Sequence, residues 1–258
     1  SDELDDLLRS STAEALDRWL ADLATDEEEL RRLLPLVTVG KTSFFRDERQ
    51  FAALAALLPS WLAAARGAGR RLSIWSAGCA TGEEIHSLAI AALEAGAEPP
   101  ELELLATDVN PSAVAAAATG IFPLSRTEGL GLDRLARHFR VEGDKARIHG
   151  PARRAASRFE VHNLADDRYP LPHSGAWDVI FCRNVLIYFD LPTTLRVLDR
   201  FHRALRPGGH LFLGYSESLF RLYDGFELVE REGSFFYRRP VAAKGPSSQA
   251  VPVPLVEA

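Results

Sequence analysis

The stretch Ser73-Ile74-Trp75-Ser76-Ala77-Gly78-Cys79-Ala80-Thr81-Gly82-Glu83-Glu84 constrains this chain more than any other. Ile74 and Trp75 suit a buried strand. Gly78 and Gly82 lack a Cβ, so the backbone there can turn sharply and lie close to a ligand. Ile85, Leu88, Ala89 and Leu93 then recur at helical spacing. A strand, a tight loop of small residues and a helix open many nucleotide-binding α/β sheets, with the ligand at the carboxyl ends of the strands.

The glycines and acids narrow the ligand. A dinucleotide fold needs G-x-G-x-x-G. Here the spacing is G-x-x-x-G, and the helix opens with Glu83 and Glu84. Carboxylates at a helix N-terminus compete with phosphate for the same positive end of the dipole. The site therefore suits a ligand without phosphates and with positive charge. S-adenosylmethionine fits, with its sulfonium and α-amino groups. Residues 102–106 read as the next strand, and Asp108 sits at its end, where a carboxylate can bind ribose hydroxyls. An ordinary helix start and turn would explain the loop alone, but not Asp108 in register with it.

The 258 residues suffice for one large domain or two small ones. A net charge of −6 argues against a general nucleic-acid binder. No apolar run reaches membrane-spanning length and no signal-peptide pattern is present, so no membrane insertion is expected. Cys79 and Cys182 both fall at predicted strand ends near the same site. They could pair, although two cysteines in such a chain fit a reduced cytoplasmic protein. The chain has no methionine, which reads as a processed or excised piece.

In chain order, residues 1–35 read as acidic helices, with Leu16, Leu20 and Leu23 on one stripe and Leu30, Leu33 and Leu34 on another. Lys41-Thr42-Ser43-Phe44-Phe45-Arg46-Asp47 has two readings. In one, Thr42 or Ser43 caps a helix and the phenylalanines are core. In the other, the aromatics wall a pocket and Arg46 points into it. On the stretch alone the first is preferred. An amphipathic helix is predicted over 47–65, and another over 111–118 that starts at Pro111 and ends at Gly120. Residues 121–160 break the strand–helix alternation. Residues 139–148 resemble a hairpin with Gly143-Asp144 as its turn. Residues 159–162 are either a third strand of that small sheet or a strand of the main one. This insert is basic (Arg134, Arg137, Arg140, Lys145, Arg147, Arg153, Arg154, Arg158), reading equally as a solvated surface or as a docking patch for an acidic partner.

Asn163 and Leu164 follow a strand, where an amide can bond an adenine edge or cap a turn. Residues 177–189 read as an apolar central strand ending in Cys182, Arg183 and Asn184, beside the glycine loop. An unpaired guanidinium there would be costly, so Arg183 is a site residue or part of a structural ion pair, with the first preferred. A helix over 193–205, a turn at 207–209 and a strand over 210–214 follow. Ser216-Glu217-Ser218 reads as a polar loop, and 226–231 with 234–238 as a closing hairpin. From Pro240 the chain reads as a disordered tail or linker.

The motifs T-S-F-F-R-D (42–47), S-A-G-C-A-T-G-E-E (76–84), A-T-D-V-N (106–110), F-C-R-N-V-L-I-Y-F-D (181–190) and L-R-P-G-G-H-L-F-L-G-Y-S-E-S (205–218) together resemble the CheR-type chemotaxis methyltransferases. The match runs from about residue 15 to residue 239. It implies a class I S-adenosylmethionine-dependent α/β fold, with a Rossmann-like sheet and an inserted antiparallel β-subdomain over about 125–160. It also implies a small helical N-terminal domain with its connecting helix (1–66) before the methyltransferase domain (67–239). The implied activity is methyl esterification of glutamates on the cytoplasmic signalling domain of chemoreceptors, by a monomer, with S-adenosylhomocysteine as product. Carried over by position, Gly78, Glu84, Asp108, Asn163, Leu164, Cys182 and Arg183 would contact the cofactor. Thr42, Arg46 and Tyr188 would line the cofactor and substrate pocket. Arg46, Arg183 and Tyr188 are the residues expected to carry catalysis.

Three positions depart from that family. Gly40 stands where an asparagine is common. The basic N-terminal helix is replaced by the acidic residues 1–8, which would shift docking to Arg31, Arg32 and the insert. The hairpin turn at 141–145 is short, which predicts no tethering to a receptor pentapeptide. Two rival readings are a methyltransferase for small molecules or nucleic acid and a non-catalytic cofactor-binding scaffold. The first leaves the F-F-R and R-N-V-x-I-Y-F motifs unexplained, and the second is opposed by the presence of Arg46, Arg183 and Tyr188.

Overall fold

The computed structural model describes residues 42–241. The helices expected over 1–35, Gly40, Arg31, Arg32 and the tail beyond residue 241 lie outside the described residues. A helix α1 (Glu48–Gly67) leads into β1 (Leu72–Ala77), α2 (Glu83–Glu94), β2 (Leu102–Asp108) and α3 (Pro111–Thr119). The inserted segment holds β3 (Ile121–Pro123), α4 (Leu132–His138), β4 (Phe139–Glu142), β5 (Lys145–Ile148) and α5 (Gly150–Ala155). The chain then returns through β6 (Arg158–Val161), β7 (Trp177–Cys182), α6 (Leu191–Ala204) and β8 (Leu205–Leu213) to the hairpin of β9 (Glu227–Arg231) and β10 (Ser234–Arg238).

The main sheet has the order β6-β2-β1-β7-β8-β10-β9. Its pairs are parallel except those of β10, which runs against both neighbours. The chain moves outward from β1 through β2 to β6, then crosses back to β7 on the other flank of β1. Strand order reverses between β1 and β7, and loops diverge there to leave a crevice at the carboxyl ends. Ile74 and Trp75 face opposite sides of the sheet, as neighbours in a strand must. Ile74 joins Leu54, Leu58, Leu88 and Phe212 in one core, whereas Trp75 joins Trp177, Leu198 and Phe201 in the other. Burial on both faces explains why β1 and β7 are mostly apolar, and their buried polar groups are paired, Asp178 with Ser73 and Ser76 with Glu84.

The structure moves several expected boundaries. Asp47, not Thr42 or Ser43, caps α1, its side chain accepting from Gln50 N at 3.4 Å. Asp190 caps α6, which starts at Leu191 rather than 193. The turn at 207–209 survives as a bulge inside β8: Trp177 pairs with Leu205 while Val179 pairs with His210. Residues 158–161 join the main sheet, and the third strand of the small antiparallel sheet is β3, starting at Ile121 and not near 125.

Candidate active site

The loops beyond β1, β2 and β7 enclose a cavity of about 550 Å³, a volume suited to a nucleoside-sized ligand. The glycine loop forms one wall. Gly78 N and Cys79 N both donate to Thr107 O, at 2.8 and 2.9 Å, tying the loop to β2. Asp108 completes the tie: its Oδ2 accepts from Ala80 N and its Oδ1 from Asn110 N, each at 2.9 Å. Backbone donors thus fix the carboxylate's orientation, and its remaining lone pairs can still accept from hydroxyls. Gly78 has φ +90°, and a Cβ there would lie 2.4 Å from Val185 Cγ2.

Glu84 and Arg183 form the second wall. Glu84 accepts from Ser76 Oγ at 2.7 Å and faces Arg183 Nη1 at 3.4 Å. Burial pushes the Glu84 carboxyl up from its ordinary value, and Arg183, Ser76 and Arg46 pull it part of the way back. Arg183 is buried, and its Nε has no hydrogen-bond partner among the described residues. The two readings of Arg183 therefore coincide, because it is ion-paired and it lines the cavity.

The F-F-R motif divides between both of its readings. Phe44 packs edge-on against Phe122 and Phe139 of the small sheet, with centroids 4.9 and 5.3 Å away. Phe45 lies against Phe51 and beneath the Arg134 guanidinium, 4.0 Å from the ring centre. Both rings are core, while Thr42, Ser43 and Arg46 line the cavity. The positive φ of Phe45 (48°) and Asp47 (68°) marks the bends that separate them, and Phe45 N is held by Ser87 Oγ at 2.9 Å.

Asn163, Leu164, His162 and Tyr188 also line the cavity, with Tyr188 60% exposed at its mouth. Asn163 caps a turn as well, its Oδ1 accepting from Ala165 N at 2.9 Å. Among the expected residues Cys182 is the exception. Its side chain lies in the core that holds Trp177 and Phe201 and is not among the side chains that line the cavity. Cys79 and Cys182 are both free and buried, so the disulfide alternative closes, and burial pushes both thiols well up.

Sequence reasoning placed Asn184 beside the glycine loop without a role there, and it missed Val109 and Val185 in the lining as well as Glu217. The polar loop at 216–218 turns back under the site, where the Glu217 carboxylate meets the backbone of residues 184–186. A glutamate following a strand end was the only available signal.

Residues 40–234 match the family model described as "CheR methyltransferase, SAM binding domain". The chain is 35% identical over 245 residues to "Chemotaxis protein methyltransferase 1" of Pseudomonas aeruginosa, covering 92% of this chain and 88% of that one. It is 36% identical over 234 residues to "Probable biofilm formation methyltransferase WspC" of Pseudomonas putida, covering 91% of this chain and 54% of the relative. It is 39% identical over 217 residues to an "Uncharacterized 104.1 kDa protein in hypE 3'region" of Rhodobacter capsulatus, covering 83% of this chain and 22% of the relative. The chain thus spans most of the first relative, about half of the second and about a fifth of the third.

Proposed function

Because this chain belongs to the CheR methyltransferase family, we propose that it methylates glutamate side chains on the cytoplasmic signalling helices of chemoreceptors, as a cytoplasmic monomer. The observation that carries this reading is the convergence of Asp108, the Glu84–Arg183 pair, Arg46 and Tyr188 on one cavity. Among the described residues no helix is long and apolar enough to cross a membrane.

The residues fit S-adenosylmethionine. Asp108 offers fixed acceptors for ribose hydroxyls, and Asn163 an amide for the adenine edge. Glu84 is a buried carboxylate whose raised pKa a cationic ligand would lower again. Without a Cβ at Gly78, a ligand can lie against the loop backbone. When bound, the cofactor supplies an electrophilic methyl on a sulfonium and leaves as S-adenosylhomocysteine.

The chain itself has a modest chemical task. A substrate glutamate is already ionised at neutral pH, so no general base is required. The protein must strip water from that carboxylate and hold one oxygen in line with the methyl. Arg46 can grip a carboxylate with two parallel N–H donors. Tyr188, at the mouth, packs beside the incoming side chain. Arg183 neutralises Glu84, so the site does not present uncompensated negative charge to the substrate.

The test is transfer of labelled methyl from S-adenosylmethionine to purified receptor signalling domains. Label on glutamate that is released as methanol by mild base supports the reading. A sample that binds S-adenosylhomocysteine yet labels no receptor domain, but does label small acids, refutes it. We further infer that docking does not use a receptor pentapeptide, because Gly143-Asp144 alone connects β4 and β5. Micromolar binding of such a peptide would overturn that.

A further inference from the structure

The loop from Arg183 to Tyr188, which closes in a short 3-10 turn over Leu186–Tyr188, carries much of the site. It brings Arg183 to Glu84, Val185 beneath Gly78 and Tyr188 to the mouth. Asn184 has φ +58°, in the left-handed region that asparagine enters more readily than most residues with a side chain. This bend turns three successive backbone N–H groups toward one point, the geometry of an anion nest.

Glu217 fills that nest. Its Oε1 accepts from Val185 N at 2.9 Å and from Leu186 N at 2.8 Å. Its Oε2 accepts from Asn184 N at 2.7 Å and from Gly214 N at 2.6 Å. One carboxylate therefore joins the ends of β7 and β8 through four backbone donors. Gly214 shows how closely the clamp is built. A Cβ there would lie 2.7 Å from Glu217 Oε2 and 2.9 Å from Asn184 N. Its φ is not in the left-handed region, so the demand for glycine is one of space.

We propose that Glu217 is a positioning residue for methyl transfer, which holds the 183–188 loop in the shape that presents Arg183 and Tyr188. The proposal rests on the function proposed above for this cavity. Glu217 is not itself among the residues that line the cavity. It acts through the loop, so its loss should degrade the geometry of a site whose groups are all still present.

The experiment compares wild type with Glu217→Gln and Gly214→Ala. The amide keeps the shape of the carboxylate but places an N–H₂ where an oxygen accepted. The alanine strains the same clamp without changing charge. Three quantities are read: amide hydrogen exchange at residues 184–186, S-adenosylhomocysteine affinity by calorimetry, and kcat with KM on a receptor domain. Exchange at 184–186 should accelerate about tenfold or more as the donors lose their acceptor. S-adenosylhomocysteine affinity should weaken about tenfold, and kcat should fall about 100-fold, the scale expected for a small misplacement of reacting groups. KM for the receptor should move much less. If Glu217→Gln does not fold, the same readings on Gly214→Ala decide. Unchanged exchange overturns the proposal. So does faster exchange with wild-type affinity and turnover, since Glu217 would then be only structural. A wild type that binds S-adenosylhomocysteine but methylates no receptor sinks the substrate reading alone, and the exchange and affinity readings still decide on Glu217.

Discussion

Replacing Gly78 by alanine tests the glycine loop, and Gly69→Ala supplies its control. Both glycines have positive φ, +90° and +62°. Around Gly69 a new Cβ meets nothing within 4 Å, so that variant suffers only the backbone penalty, about 1–2 kcal/mol. At Gly78 the Cβ would also sit 2.4 Å from Val185 Cγ2, far inside ordinary contact distance. Overpacking of that kind adds about 1–3 kcal/mol, for a total of about 2–5 kcal/mol. In a domain of this size that lowers the melting temperature by about 4–20 °C. The strain is relieved either by lifting the loop from Thr107 or by pushing Val185 and the 183–188 loop aside. Either movement disturbs the cavity, so S-adenosylhomocysteine should bind at least about tenfold more weakly, a loss of about 1.4 kcal/mol. Thermal unfolding and calorimetry measure both effects. If Gly78→Ala and Gly69→Ala lose equal stability and both keep full affinity, the glycine loop does not shape the ligand site and the reasoning fails.

Arg46→Ala should lower kcat about 100-fold while changing cofactor affinity only a few-fold, because its guanidinium is assigned to the substrate carboxylate. Steady-state kinetics with calorimetry separate these, and equal, small losses would remove the assignment. Stability should also fall in acid. Burial holds His86 and His210 at about 4, against an ordinary 6.5. Between those values the unfolded chain binds protons that the folded chain refuses, so stability is full above pH 6.5 and is lost as pH falls toward 4. Each histidine accounts for up to about 3 kcal/mol of this slope. His210 packs against Trp61 and Phe236, at 4.8 and 5.7 Å between ring centres, so His210→Phe should keep the packing and flatten the melting-temperature profile between pH 6 and 4. A profile as steep as wild type would show that His210 does not carry the effect.

Features set by local backbone demands were legible in the sequence. The glycines of 78–82 and the large apolar residues of β1 and β7 announce themselves because a turn and a doubly buried strand each restrict residue type. Asp108 was legible because strand length fixes where a side chain falls at a sheet end. Features set by tertiary closure were not. β3 is three residues long and includes Pro123, so no strand pattern could form before pairing with β5. Cys182 alternates away from the cavity although its neighbour Arg183 lines it, a distinction that one residue of register decides. Glu217 acts across 31–33 residues of sequence on main-chain atoms, which carry no side-chain signature.

The insert shows how two readings that looked exclusive can divide one set of residues. Its basic side chains were expected to form either a solvated surface or a docking patch. Arg134 instead pairs with Glu94 of α2 and covers Phe45, and Arg153 donates to the carbonyls of Ala118 and Ala156. Arg126, outside that set, reaches the fully buried Glu83, which also accepts from Thr81 Oγ1 in the glycine loop. Phe122 and Phe139 seat Phe44, two residues before Arg46. The insert therefore touches both the helix that carries the cofactor loop and the motif that carries Arg46. Arg140 and Arg147 lie opposite each other on β4 and β5 and are exposed. Directly opposed like charges destabilise a sheet pair, so this outer face carries a cost, whereas Arg134 and Arg153 are engaged in bonds within the fold.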